Sequence, residues 1–167
     1  LFYDEDAFRY LERDDIAYDF HLFFNYSEKT SFFGEYKHIT VTYDTDSVYD
    51  SNTDLYYLGM TWDSTEKLSF LVKLGLQQKE FDNSDFDNFE GFVFELQTVY
   101  RFSEKTKFTL NFYRQNEETD NIESTDKVNI GGYLGYDQEL TDKLSWGFRL
   151  RYENADYRER YVARDRE

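Results

Sequence analysis

Apolar and polar side chains alternate along most of this chain. From Lys143 the next odd offsets carry Leu144, Trp146, Phe148, Leu150 and Tyr152, while the even offsets carry Ser145, Gly147, Arg149 and Arg151. The same count from Lys67 gives Leu68, Phe70, Val72, Leu74 and Leu76 against Ser69, Leu71, Lys73 and Gly75. Counting backwards from the lysines gives the same result: Phe20, Leu22, Phe24 and Tyr26 on one face, Asp19, His21 and Asn25 on the other. Strand side chains point to opposite sides in turn, so a period of two means two different environments. The pattern predicts eight strands, at about 16–27, 30–43, 54–64, 67–81, 89–103, 106–117, 128–140 and 143–157. The seventh is the weakest, because Gly132 and Gln138 interrupt its apolar face.

The strands are paired by a repeated turn cassette: Ser27-Glu28-Lys29-Thr30, Thr65-Glu66-Lys67-Leu68, Ser103-Glu104-Lys105-Thr106 and Thr141-Asp142-Lys143-Leu144. Successive copies lie 38 residues apart. A fixed period of this size marks a repeated supersecondary unit, here a β-hairpin. The whole chain, 1–167, therefore reads as one domain of antiparallel hairpins, with tight turns near 27–30, 65–68, 103–106 and 141–144.

Alternation fits two architectures. A soluble β-sandwich buries its apolar face in a core. An outer-membrane barrel turns that face to lipid and its polar face to a lumen. The connections favour the barrel. Four are tight, and the three between them, roughly Tyr43 to Asp54, Lys79 to Phe89 and Gln115 to Lys127, are long and acidic. Short turns at one end and long loops at the other are the outer-membrane arrangement. About nine residues at ~3.3 Å each, tilted ~40°, make an apolar band about 25 Å tall. Aromatics gather near both ends of the band: Phe24, Tyr26, Trp62, Tyr100, Phe102, Phe32 and Trp146 by the turns, and Tyr18, Tyr56, Tyr43 and Tyr152 toward the loops. They resemble interfacial girdles.

Composition sharpens this picture. Aromatics make up 21% of the chain, and there is no proline to interrupt a strand ladder. There is no cysteine, hence no disulfide framework, thiolate metal site or cysteine nucleophile. No run of about 18 apolar residues suggests a membrane helix. A formal charge of −16 argues against nucleic acid as a partner. The mean hydropathy of −0.84 is low for a barrel and is attributed to the acidic loops. No signal peptide is visible at Leu1, so the chain is expected to be a mature chain or a fragment.

Three stretches carry a family resemblance: Phe24-Asn25-Tyr26-Ser27-Glu28-Lys29-Thr30-Ser31-Phe32-Phe33-Gly34-Glu35-Tyr36, Tyr57-Leu58-Gly59-Met60-Thr61-Trp62-Asp63-Ser64-Thr65-Glu66-Lys67-Leu68 and Leu150-Arg151-Tyr152-Glu153-Asn154-Ala155-Asp156-Tyr157. They resemble the outer-membrane β-barrel porins encoded with bacterial exopolysaccharide synthesis genes. The resemblance implies an outer-membrane location, a conduit for exported polysaccharide, and a chain that is an internal portion of a larger barrel. It supplies no catalytic residues.

The polar face supplies the candidate site. Lys37, Lys73, Glu95, Arg101, Asp137, Arg149, Arg151, Tyr57 and Tyr133 are expected to line a lumen. They can pair into a plug or steer a charged solute. Tyr113, Phe33 and Phe23 share that face and suit a sugar path. His21 is assigned to the lumen and His38 to the lipid side near the loops, so the two do not share a metal. No nucleophile–base pair stands out, so no catalytic residues, metal or cofactor are assigned. The acidic clusters at Asp44, Asp46, Asp50 and Asp54, at Asp82, Asp85 and Asp87, and at Glu117, Glu118, Asp120, Glu123 and Asp126 read first as solubilising loops and second as cation sites. The expected fold is an all-β, antiparallel up-and-down transmembrane barrel of about eight strands in the bacterial outer membrane. Its expected role is a passive pore, with lipid bilayer, lipopolysaccharide and polysaccharide as partners. A non-conducting structural or adhesive barrel and a soluble sandwich binding module are the alternatives.

Overall fold

The computed structural model describes residues 12–44, 49–83, 86–117 and 124–159. Eight strands follow one another: β1 Arg13–Ser27, β2 Thr30–Tyr43, β3 Ser51–Asp63, β4 Leu68–Phe81, β5 Phe89–Ser103, β6 Thr106–Glu117, β7 Ser124–Thr141 and β8 Leu144–Glu159. They form one antiparallel meander in sequence order, so each strand pairs with the next. β1 and β8 are the two edges and are not paired with each other.

The turn cassette has a physical basis. In every copy the first residue folds back on the lysine. The Lys29 amide donates to Ser27 Oγ at 3.2 Å, Lys67 to Thr65 Oγ1 at 3.2 Å, Lys105 to Ser103 Oγ at 3.3 Å and Lys143 to Thr141 Oγ1 at 3.3 Å. This is the hydroxyl-to-backbone turn that Ser and Thr favour. Register shifts sit beside three of these turns, at Asn25/Ser27, Arg101/Ser103 and Glu139/Thr141. No described residue outside glycine has a positive φ, so the mirror-image turns of tight hairpins are not used, and the bulges absorb the twist instead. The lysine carbonyl also joins one hairpin to the next. It accepts from Asp63 at 2.8 Å, Arg101 at 2.7 Å and Glu139 at 2.8 Å in successive repeats.

The faces follow residue parity. Within the apolar band the even-numbered side chains form the convex face and are exposed or half-exposed, as with Leu58 at 76% and Tyr152 at 75%. Odd-numbered side chains face the concave side. There Tyr57 of β3 and Arg151 of β8 line one cavity, which shows how far the sheet curls. The apolar band on the even face ends along one row of register partners. Tyr36, Tyr56, Leu76 and Phe92 are register partners, and the next row toward the loops is His38, Asp54, Gln78 and Glu90.

The two residues that break the pattern on β7 are compensated by neighbours. Phe112 lies against Gly132, where an added Cβ would meet the ring at 2.8 Å. Gln138 accepts hydrogen bonds from Tyr136 Oη at 2.7 Å and Trp146 Nε1 at 3.2 Å, so its amide sits within the aromatic girdle. Tyr43 corrects the girdle assignment. It lies on the odd face, is buried, and packs against the Tyr49 ring at a tilt, with centroids 5.6 Å apart. It belongs to a small core at the loop end together with Val41, Phe81, Phe86 and Phe89.

Candidate functional site: the concave wall

Antiparallel pairing sets which charges meet. A residue and its register partner share a face, with side chains about 5 Å apart. All nine predicted lumen residues, Lys37, Tyr57, Lys73, Glu95, Arg101, Tyr133, Asp137, Arg149 and Arg151, fall on the odd, concave side. They form three groups.

The first group centres on Lys73. Its Nζ lies 2.7 Å from Glu35 Oε2 and 4.5 Å from the centroid of the Tyr57 ring. His21 Nδ1 approaches the same glutamate at 3.8 Å, and Lys37 meets Asp19 at 3.8 Å. Glu95 is the register partner of Lys73 and accepts from Asn111 Nδ2 at 3.1 Å.

The second group lies near the turns. Arg101 donates to Ser69 Oγ at 2.8 Å, and Lys107 faces Asp137 at 3.4 Å. Arg149 covers the Tyr133 ring at 4.7 Å, while the Tyr133 hydroxyl reaches Gln97 at 3.4 Å.

The third group is a cavity of ≈ 400 Å³ walled by Tyr57, Tyr113, Tyr133, Glu95, Glu153 and Arg151. Tyr113 donates to Glu153 Oε2 at 2.5 Å. Several wall cations therefore have partners inside the wall: Lys73, Lys37 and Lys107 on carboxylates, and Arg149 on a ring face.

Sequence reasoning did not reach the loop end of the wall. The β5–β6 register runs only from Phe94↔Arg114 to Ser103↔Thr106. Beyond it the strands part, and a side chain replaces the ladder. Gln77 Nε2 donates to the Asn116 carbonyl at 3.1 Å, and Gln77 Oε1 accepts the Asn116 amide at 3.0 Å. Arg158 makes a second bridge. It pairs with buried Asp126 at 3.0 Å, donates to the carbonyls of Asp87 at 2.9 Å and Asn88 at 3.1 Å, and covers the Phe89 ring at 5.3 Å. Asn116, Asp126 and Arg158 have even parity, whereas Gln77 and Phe89 have odd parity. The loop ends of β6–β8 therefore lie on the concave side of β4–β5. These partners are 39 and 70 or more residues apart, and no local pattern announces them.

The two histidines lie on opposite faces, His21 by Glu35 and His38 by Asp54. His38 Nδ1 is 2.8 Å from Asp54 Oδ1, and Thr40 Oγ1 is 3.3 Å from His38 Nε2. The order hydroxyl–imidazole–carboxylate is that of a hydrolytic relay. Here, though, the threonine hydroxyl has a closer partner in Asn52 Oδ1 at 2.9 Å. β2 is also paired on both sides, which commits the neighbouring backbone amides to the ladder rather than to an oxyanion. The cluster reads as a polar network at the edge of the apolar band.

Of the acidic loop residues, Asp50 accepts the Tyr43 amide at 2.8 Å, and Asp126 is taken by Arg158. Asp46, Asp85, Glu118, Asp120 and Glu123 lie outside the described residues. Among the described residues no group of three metal-ligating side chains converges, and no helix is long and apolar enough to cross a membrane, which does not bear on strands.

Comparison with known proteins gives one positive finding. The family described as "Putative beta-barrel porin 2" matches residues 4–166. No curated protein and no solved structure matches the chain.

Proposed function

Since the chain belongs to this β-barrel porin family, we infer that it works in the outer membrane as a passive, non-enzymatic pore through which solutes pass along the odd face. One observation carries the reading. A continuous apolar band covers the convex side, while every ion pair of the wall described above faces the concave side. Membership of the family supports the porin-like role and the outer-membrane location in general. In a bilayer the free edges of β1 and β8 have to be paired, because unpaired backbone groups are costly in lipid.

The finer reading is that the solute is a polysaccharide leaving the cell. The family resemblance suggests it. Tyr57, Tyr113 and Tyr133 support it, since their ring faces and hydroxyls, beside Glu95 and Arg151, suit hydroxyl-rich solutes.

The test is conductance in a planar lipid bilayer, with insertion checked by a heat-dependent gel shift. The expected result is stable current steps that soluble oligosaccharides reduce. Arg149→Glu is expected to shift ion selectivity toward cations. Silence from inserted protein would overturn the pore, and steps insensitive to sugars would overturn the polysaccharide reading alone.

A further inference from the structure

A second cavity lies on the opposite, convex face. It is a groove of ≈ 650 Å³ running across β1 to β5 within the apolar band. Gly34 opens it: an added Cβ there would find its nearest neighbours only at 4.0 Å. Leu58, Leu74 and Phe92 form its walls, and Tyr36 and Tyr56 close its loop end with rings 5.1 Å apart. That end is also where the polar network begins. Tyr36 donates to Asp54 Oδ1 at 2.7 Å, and His38 Nδ1 meets the same oxygen at 2.8 Å. The other carboxylate oxygen, Oδ2, takes none of these bonds, and the Asp54 side chain is about a third exposed. Asn52, next along the strand face, holds Thr40.

We propose that this groove is a site for one glycolipid of the loop-side leaflet, with an acyl chain over Gly34 and a sugar headgroup on Asp54 and Asn52. The reasoning is chemical. An apolar, membrane-facing groove of this volume suits a hydrocarbon chain. A carboxylate with a free oxygen accepts bonds from donor-rich headgroups, and sugar hydroxyls are such donors. A bare phosphate is disfavoured, because Asp54 is anionic and its register neighbours on that face are His38 and Gln78, with no lysine or arginine. Tyrosine rims at the interface suit the same ligand. The proposal rests on the even face meeting lipid, and not on conduction.

The experiment is native mass spectrometry of the full chain in detergent, titrated with a glucosyl diacylglycerol or with a phosphatidylcholine of the same acyl chains. The expected result is one glucosyl lipid retained per chain, at least about tenfold more tightly than the phosphatidylcholine. Asp54→Asn is expected to erase that preference while leaving weak binding of both lipids. Gly34→Leu, which fills open space on the surface, is expected to weaken both. Equal retention of the two lipids by the unaltered chain, or undiminished binding by Gly34→Leu, would overturn the proposal. Neither readout depends on whether the protein conducts.

Discussion

The half of the sheet next to the tight turns and the half next to the loops obey different rules. The turn half has almost no core. Its even side chains, such as Leu22, Leu58 and Phe148, stand exposed, and its odd side chains meet one another across the wall. Such a half is incomplete until lipid covers one face and strands enclose the other. The loop half is conventionally packed. Val41, Tyr43, Phe81, Phe86 and Phe89 are buried, together with Ser51, Thr53, Gln77, Lys79, Asp126 and Asn129. Where the bilayer supplies the apolar environment, the protein need only alternate. Beyond it, the chain has to make its own interior, and that costs polar satisfaction: among the described residues Ser51 Oγ, Asp126 Oδ1, Asn129 Oδ1 and the Asn116 side-chain amide are buried without a hydrogen-bond partner.

Substitutions on one strand separate the two halves most sharply. Leu74 and Gln78 share β4 and the even face but fall on opposite sides of the band edge. Leu74→Arg is expected to cost about 2–4 kcal/mol of folding free energy in lipid, and Gln78→Arg about 0–1 kcal/mol. Urea titration of vesicle-inserted protein measures both, and equal costs would erase the boundary.

Within the loop half, Gln77→Leu keeps the volume and removes both partners of the Asn116 backbone. The expected loss is about 2 kcal/mol, read by the same titration. It should come with faster amide exchange at Asn116, whereas a merely looser core would not single out that amide.

The smallest effect belongs to the turns. Ser103→Ala removes one exposed bond to the Lys105 amide and is expected to cost about 0.5 kcal/mol. A loss several times larger would mean that the cassette nucleates the hairpin rather than finishing it.

The same division decides what could be read from the sequence. The four turns, the eight strands and the parity of every wall residue follow from short-range pattern, since a period of two is imposed residue by residue. Asp19, Lys37 and Lys73 sit on the odd face for that reason alone. Gly132 and Gln138 looked like defects because their compensation, by Phe112, Tyr136 and Trp146, comes partly from adjacent strands. Tyr43 looked like a girdle residue because it is aromatic and near a strand end, but it lies past the band and turns inward. The Gln77–Asn116 bracket and the reach of Arg158 to Asp87 and Asn88 depend on the curl of the sheet, which no local pattern encodes.

The most direct test of a two-faced wall uses the absence of cysteine in the chain. Single cysteines placed in turn along Leu68–Phe81 of β4, in vesicle-inserted protein, are reacted with a water-soluble maleimide. Odd positions Ser69, Leu71 and Lys73 are expected to react and even positions from Phe70 to Leu76 to be protected; past the band edge the pattern inverts, with Gln78 and Glu80 reactive and the buried positions Gln77, Lys79 and Phe81 protected. Reaction at even positions with protection of Lys73, or no alternation at all, would contradict the assignment of the faces on which the whole account depends.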